Sequence, residues 1–166
     1  LYNHNYWSAP TNIAGFWKPG YLEDAAGVIS FQSAYDADPA TSPITLSSSW
    51  LHRFSGKSDN YWEWTSIATT TNLAPGLGYT MKGSGAGTTE QEYVFKGIPN
   101  DGNYSFGVVA GNDFLIGNPY PSTLDADQFI TDNLGVIDGT LHFWEHFTTN
   151  NSHFLKDYQG GYATYN

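Results

Sequence analysis

Short apolar and aromatic segments alternate with turn signals along the whole chain. Turn dipeptides recur at Pro19-Gly20, Pro75-Gly76, Asp101-Gly102, Asp138-Gly139 and Gly160-Gly161. Short segments at such spacing are typical of β-sandwiches and barrels. We therefore predict strands over the segments that are rich in aromatic and β-branched residues, namely 50–54, 61–67, 78–82, 92–96, 104–109, 114–116, 141–147 and 161–165.

Two of these segments carry a more detailed pattern. In the segment 104–109 the apolar residues alternate, so we expect Tyr104, Phe106 and Val108 to face the core. The segment 114–116 is instead a continuous apolar run, which predicts a strand that is buried on both faces.

One short helix is predicted to begin after Asp125. Asp125 is expected to be the N-cap, and Gln128 stands at the N3 position that completes a capping box. Leu124 and Phe129 have the spacing of a hydrophobic staple, and the helix is expected to end near Asp132.

The patterns together predict an all-β fold: an antiparallel β-sandwich, jelly-roll-like, with one short helix. No fixed-period repeat and no linker interrupts residues 1–166, so we expect a single module. The Ser/Gly/Thr stretch 83–89 is expected to be a long hairpin loop.

Composition excludes several classes of protein. Aromatic residues make up 17% of the 166 residues, which argues against disorder. Sixteen acidic and six basic residues give a formal net charge of −10, so neither nucleic acid nor an anionic membrane surface is expected as a partner. No cysteine is present, which excludes disulfides and cysteine zinc sites. No apolar run approaches the roughly 18 residues of a membrane span, so membrane insertion is not expected.

Four tryptophans are the candidate ligand-binding residues. Trp62 and Trp64 alternate in the predicted strand 61–67, so they share one face, on which two flat rings can form a stacking platform for sugar rings or protein side chains. The alternative is a ladder of rings in the core of the sandwich. Trp7 and Trp17 lie in irregular, proline-flanked sequence, and we expect them to be exposed contacts.

Glu63 and Glu145 are the carboxylates that stand among aromatic residues on predicted strands. A glycosidase needs two carboxylates, one of them kept protonated by an apolar setting. Nothing in the sequence brings the two residues together. Isolated acidic residues on strands usually face solvent, and this is the favoured interpretation for both side chains.

His142 and His146 flank a Phe-Trp-Glu tripeptide. We interpret the segment as a strand, on which His142, Trp144 and His146 share one face. A metal site with His153 is one alternative, and exposed histidines on an aromatic face are the other.

Acidic residues in the predicted loops are candidate ligands for calcium, which prefers six to eight oxygen ligands. The candidate ligands are Asp36, Asp38, Asp101 and Asn103, and the pair Asp125 and Asp127 has the competing role of capping the helix. None of these loops matches an EF-hand. We expect no obligatory cofactor, with calcium as the one candidate ion.

No catalytic motif is complete in this sequence. The nucleophile elbow Gly-x-Ser-x-Gly is absent, and the glycine-rich stretches at 76–78 and 83–87 lack the continuation of a phosphate loop. We therefore expect a protein that is not an enzyme.

Seven segments, in order, resemble a domain of very large secreted surface proteins of flavobacteria and other Bacteroidetes. They read NYWSAP (5–10), WLHRF (50–54), LAPGLGYTMKG (73–83), YVFKGIPNDG (93–102), LIGNPYPS (115–122), LHFWEHF (141–147) and YQGGYATYN (158–166). The resemblance covers nearly the whole chain. It implies an adhesin-like, multidomain protein exported by the type IX secretion system, and it carries over no catalytic residue.

The leading functional interpretation is a non-enzymatic extracellular module of a secreted adhesin or surface filament, with a structural or binding role. Its partners would be other modules or subunits of the same surface protein, or a polysaccharide. The alternative is a carbohydrate-binding module attached to a secreted polysaccharide-degrading enzyme. The run 160–166 alternates as a strand up to the last residue. We expect the natural chain to continue, or this strand to pair with a neighbouring subunit.

Overall fold

The computed structural model describes residues 4–37, 41–85, 90–147 and 160–166. Within these ranges it contains thirteen strands and one α-helix, α1 (Ala126–Asp132). The strands are β1 (His4–Trp7), β2 (Thr11–Asn12), β3 (Glu23–Asp24), β4 (Gly27–Val28), β5 (Ser30–Gln32), β6 (Thr45–Ser47), β7 (His52–Gly56), β8 (Trp64–Ser66), β9 (Tyr79–Lys82), β10 (Ile98–Pro99), β11 (Asp113–Phe114), β12 (Leu141–His146) and β13 (Gly160–Tyr165). The predicted all-β fold with one short helix is confirmed.

The main sheet has five strands in the order β1-β9-β7-β11, with β8 added on β7. All of its pairings are antiparallel. His52 of β7 pairs with Thr80 of β9 on one side and with Ser66 of β8 on the other. Strand β7 therefore lies inside the sheet, and β1 and β8 lie on opposite sides of it.

Strand β9 runs through the centre of the protein, and all four of its residues are buried. Tyr79 and Met81 belong to the hydrophobic core. The other core residues come from several loops and small strands: Ala9, Trp17, Leu22, Ile29, Ile44, Leu46, Leu51 and Leu73. The described residues also form four two-stranded sheets, which pair β2 with β10, β3 with β4, β5 with β6 and β12 with β13. The β5–β6 pair is parallel, and the other three pairs are antiparallel.

Asn100 joins three distant segments of the chain. Its buried carboxamide donates hydrogen bonds to the carbonyl oxygens of Ala9 (3.0 Å) and Pro119 (2.8 Å). Its Oδ1 accepts a bond from Nδ2 of Asn12 at 2.8 Å. The segments NYWSAP, YVFKGIPNDG and LIGNPYPS thus meet at one amide, which gives Asn100 a structural role.

A second contact ties two of these segments together, NYWSAP and LIGNPYPS. Oγ of Ser8 donates a hydrogen bond to the carbonyl oxygen of Asn118 at 2.6 Å. A Cβ atom at the neighbouring Gly117 would lie 2.3 Å from Cβ of Ser8. Only glycine permits this approach, because real Cβ contacts are never that short.

The helix α1 begins as the sequence predicts. Asp125 is its N-cap, and the Asp125 carboxylate accepts a hydrogen bond from the backbone N–H of Gln128 at 3.0 Å. In the described residues the Gln128 side chain makes no reciprocal bond to the backbone N–H of Asp125, and its Nε2 donates to Asp132 at 2.6 Å. No helix in the described ranges is long and apolar enough to cross a membrane.

Several predicted strands are shorter than expected or are replaced by other structure. Residues 61–63 form a 3₁₀ turn rather than the first half of a strand. The segment 92–96 makes an isolated bridge between Val94 and Glu23. The segment 104–109 contains no strand, and Val108 is 41% exposed. In the run 114–116, Ile116 is 43% exposed, so the prediction of burial on both faces is wrong.

Candidate functional site

The turn between β7 and β8 is held by a dense set of hydrogen bonds. Oδ1 of Asn60 accepts the backbone N–H of Trp62 at 3.2 Å, and Nδ2 of Asn60 donates to Oε1 of Glu63 at 3.1 Å. The backbone N–H of Glu63 donates to the carbonyl oxygen of Asn60 at 3.1 Å. Asparagine is a preferred cap because its short side chain reaches the free N–H groups of the first turn. These bonds close the 3₁₀ helix Tyr61–Glu63.

The close approach of Glu63 to Gly56 holds this turn against the sheet. A Cβ atom at Gly56 would lie 2.4 Å from Cγ of Glu63. The absence of a side chain at Gly56 therefore lets the stem of Glu63 lie against the backbone of β7. The turn is fixed at both its cap and its last residue.

Trp62 and Tyr61 project from this fixed turn into solvent. Trp62 is 87% exposed and Tyr61 is 65% exposed. Their ring centroids are 6.1 Å apart and the ring planes meet at 80°. We name this pair of residues the Tyr61–Trp62 corner. Tyr61 had no special signal in the sequence apart from its place beside Trp62.

The predicted shared face of Trp62 and Trp64 is wrong. Trp62 lies in a 3₁₀ turn, where residues two apart point in different directions because there are about three residues per turn. Trp64 begins β8 and is half-buried, with its ring 4.9 Å from that of Phe54. The capping side chain of Asn60 decided this outcome, since it favours a turn over an extended chain.

Trp7 and Trp17 are not exposed contacts, contrary to the prediction. Trp17 is 1% exposed and belongs to the core, because two backbone hydrogen bonds of 2.8 Å join it to Leu73 and its ring lies 5.0 Å from that of Phe95. Trp7 is half-buried, with its ring 4.9 Å from that of Tyr93.

A second aromatic group lies where the β12–β13 hairpin meets the main sheet. The ring of Tyr6 lies 6.0 Å from Trp64, 6.4 Å from Trp144 and 6.3 Å from Tyr162. Tyr6 and Trp144 are stacked at 29°, and the Trp144 and Tyr162 rings are 5.2 Å apart. The four residues form a packed group, centred on Tyr6, that we name the Tyr6 cluster. The alternation of residues along β1 and β12 could have indicated which rings share a face of each strand. It could not have indicated that the rings of the two strands meet.

The strand that carries the two histidines is confirmed. His142, Trp144 and His146 alternate along β12 and share one face. Nε2 of His146 lies 2.6 Å from the carbonyl oxygen of His4. A carbonyl only accepts, so Nε2 of His146 carries the proton in this contact. Trp144 Nε1, 3.2 Å away, is therefore not a donor to that nitrogen. His153 lies outside the described residues.

A half-buried histidine and a buried lysine stand next to each other on neighbouring strands. His4 of β1 pairs in register with Lys82 of β9, and Nζ of Lys82 lies 3.9 Å from the centre of the Trp50 ring. Burial lowers the pKa of His4 to about 3, with smaller contributions from Lys82, His52 and His146. Burial also lowers the pKa of Lys82 to about 8, and Asp36 opposes this shift.

The described residues contain no group of three or more His, Asp or Glu side chains that would hold a metal ion. Asp36, Asp101 and Asn103 are exposed, and Asp38 lies outside the described residues. Asp125 caps α1 and Asp127 accepts a hydrogen bond from the hydroxyl of Tyr165 at 2.7 Å. Calcium binding stays a prediction.

The two candidate carboxylates have different surroundings. Glu63 is half-buried and accepts the Asn60 amide, whereas Glu145 is exposed on β12. Glu145 lies on the face of β12 opposite to Trp144, and Glu63 lies in the β7–β8 turn. The geometry that is described for these residues gives no support to a glycosidase pair.

Fold and surface together define an all-β module with an exposed aromatic corner on a hydrogen-bonded turn and a separate group of packed rings, the Tyr6 cluster. The chain belongs to the family described as a domain of unknown function, DUF8693, whose model matches residues 2–166. Neither a curated protein nor a solved structure matches the chain.

Proposed function

We propose that this chain is a non-enzymatic extracellular module of a secreted adhesin or surface filament, and that it binds its ligand through the Tyr61–Trp62 corner. The observation that carries the proposal is the 87% exposure of Trp62 on a turn that is fixed by hydrogen bonds. Exposed large aromatic side chains on a rigid support are the usual anchors of binding surfaces.

The burial of the other three candidate tryptophans supports the choice of Trp62. Trp17 packs in the core, and Trp7 and Trp64 are half-buried against neighbouring rings. Their rings are engaged in holding the fold together. Among the described residues, the ring of Trp62 contacts the ring of Tyr61 alone, so the Trp62 indole is available to a ligand.

The proposed location and the proposed absence of catalysis rest on the sequence. The resemblance to secreted surface proteins of Bacteroidetes supports an extracellular module, and the incomplete catalytic motifs support a role in binding or structure. Other modules of the same surface protein are the expected covalent neighbours.

Adhesion of the purified chain to an array of glycans and extracellular matrix proteins tests the proposal. We expect binding by the wild-type protein and a loss of about tenfold or more in Trp62→Ala, since a central aromatic anchor contributes roughly 2 kcal/mol or more. Val109→Ala is the control, because Val109 is 67% exposed and is not part of the Tyr61–Trp62 corner. No binding to the array, or equal binding by the wild-type protein and Trp62→Ala, would overturn the proposal.

A further inference from the structure

We infer that the Tyr61–Trp62 corner binds single, uncharged polysaccharide chains in solution, rather than crystalline polymer surfaces or acidic polysaccharides. This inference rests on the proposed function and names the ligand class of the same site. Three features carry it: the angle between the two rings, the charges of the turn and the rigidity of the backbone that holds the rings.

The angle between the rings decides between a dissolved chain and a crystal face. A flat crystalline face is contacted efficiently only by rings that lie in one plane. The Trp62 and Tyr61 planes instead meet at 80°, with centroids 6.1 Å apart. A pyranose ring stacks its apolar C–H face on one ring of such a corner while its edge contacts the other. Only a chain that is free on several sides can enter in this way.

The charges of the turn decide between neutral and acidic ligands. Lys57, Asp59 and Glu63 are the charged residues of the connection between β7 and β8, and their formal sum is −1. The whole chain carries a formal charge of −10. A polysaccharide that bears carboxylate or sulfate groups would be repelled at low salt, whereas a neutral chain would not be.

Polar groups beside the corner fit the hydroxyl groups of a sugar. Asp59 is exposed, and the carboxylate of Glu63 accepts a hydrogen bond from Asn60 at 3.1 Å while remaining half-buried. Carboxylate oxygens each accept more than one hydrogen bond, so both residues offer acceptors to sugar hydroxyls. Apolar ring faces with a few oriented polar groups are the common composition of small-molecule sites.

The rigid turn lowers the cost of binding. Asn60 accepts the N–H of Trp62, and a hydrogen bond of 3.0 Å joins the N–H of Asn60 to the carbonyl oxygen of Lys57. The backbone below Trp62 is therefore ordered before a ligand arrives. Preorganisation of this kind improves affinity because less conformational freedom is lost on association.

Affinity gel electrophoresis tests the inference with hydroxyethylcellulose, arabinoxylan and glucomannan as neutral chains, and with alginate and polygalacturonate as acidic chains. Sedimentation with crystalline cellulose and crystalline chitin provides the third arm. We expect retardation by at least one neutral chain, a loss of about tenfold or more in Trp62→Ala, and a smaller loss in Tyr61→Ala. Val109→Ala should match the wild-type protein.

Asn60→Ala separates the contribution of the rigid turn to affinity from the contribution of the two rings. It leaves both aromatic side chains in place and removes the cap, so we expect about three- to tenfold weaker binding with an unchanged circular dichroism spectrum. Binding to crystalline polymers alone, to acidic chains alone, or to none of the probes would overturn the inference. Trp62-dependent binding to a protein of the array would overturn it too, while leaving the proposed function intact.

Discussion

The phenolic oxygens of Tyr6 and Tyr162 lie 2.5 Å apart, across the junction between the main sheet and the β12–β13 hairpin. In the described part of the chain, β12 and β13 form a ladder with each other and with no strand of the main sheet. The junction is therefore made by side chains, namely this hydroxyl pair, the stacked rings of Tyr6 and Trp144, and the contact of His146 with the His4 carbonyl.

The first prediction concerns this hydroxyl pair. Tyr6→Phe and Tyr162→Phe should each lower the free energy of unfolding by about 1 kcal/mol, because each removes one partner of the hydrogen bond. The double variant should lose less than the sum of the two single losses. Urea denaturation of the four proteins measures this coupling. Strictly additive losses would mean that the hydroxyl pair does not hold the hairpin.

The second prediction concerns Asn100, whose carboxamide bonds the carbonyl oxygens of Ala9 and Pro119. Asn100→Ala should lower the free energy of unfolding by about 2–4 kcal/mol, since it leaves several buried polar groups without partners. Asn103→Ala is the matched control, because Asn103 is exposed, and it should change stability by less than about 0.5 kcal/mol. Similar losses in both variants would contradict this account.

The sequence predicted correctly those features that are determined by residues close together in the chain, such as the start of α1 and the shared face of β12. Asp125 caps α1 because its carboxylate reaches an N–H three residues along the chain, and both residues are visible in the sequence. Strand alternation placed His142, Trp144 and His146 on one face of β12. Periodicity and capping act within a few residues, so they can be read without knowing the fold.

The predictions that were wrong concern residues whose positions are set by distant partners or by a competing local hydrogen bond. Trp17 is buried because Leu73 and Phe95 come to it from far along the chain, and no pattern near Trp17 announces this. The segment 104–109 alternates like a strand but finds no ladder partner, and Phe106 packs instead on Phe114. At Trp62, the cap from Asn60 overrode the alternation that placed Trp62 with Trp64.

The third prediction concerns acid stability. The pKa of His4 is about 3 in the folded protein and 6.5 in an unperturbed histidine. Between these values the unfolded chain binds a proton that the folded chain does not, so stability falls as the pH falls from about 6.5 towards 3. One group contributes a slope of at most about 1.4 kcal/mol per pH unit.

Urea denaturation from pH 7 to pH 4 measures this slope. His4→Gln should flatten it relative to the wild-type protein, whereas His142→Gln, a change at an exposed histidine, should leave it unchanged. Equal slopes for His4→Gln and the wild-type protein would show that His4 does not stay neutral in the folded state.

The fourth prediction concerns Lys82, which is 1% exposed and whose pKa is about 8 rather than 10.5. Below pH 8 both the folded and the unfolded chain hold the proton, and the buried charge costs stability. Between pH 8 and 10.5 the unfolded chain binds more protons, so this contribution makes stability rise with pH. The position of Nζ over the Trp50 ring at 3.9 Å offsets part of the cost through a cation–π interaction.

Lys82→Met should therefore raise the free energy of unfolding at pH 7 by about 1–2 kcal/mol, because a thioether of similar length fills the site without a charge. The gain should shrink as the pH approaches 10, where the wild-type lysine is neutral when folded.

Above pH 10 the raised pKa values of Tyr6 and Tyr79 lower the stability of both proteins alike, so the difference between them isolates Lys82. Lys96→Met is the control: the Lys96 side chain is 67% exposed in its ion pair with Glu23, so the change should stay within about 1 kcal/mol. A loss of stability in Lys82→Met that is equal at pH 7 and pH 9.5 would show instead that contacts of the lysine side chain outweigh the cost of burying its charge.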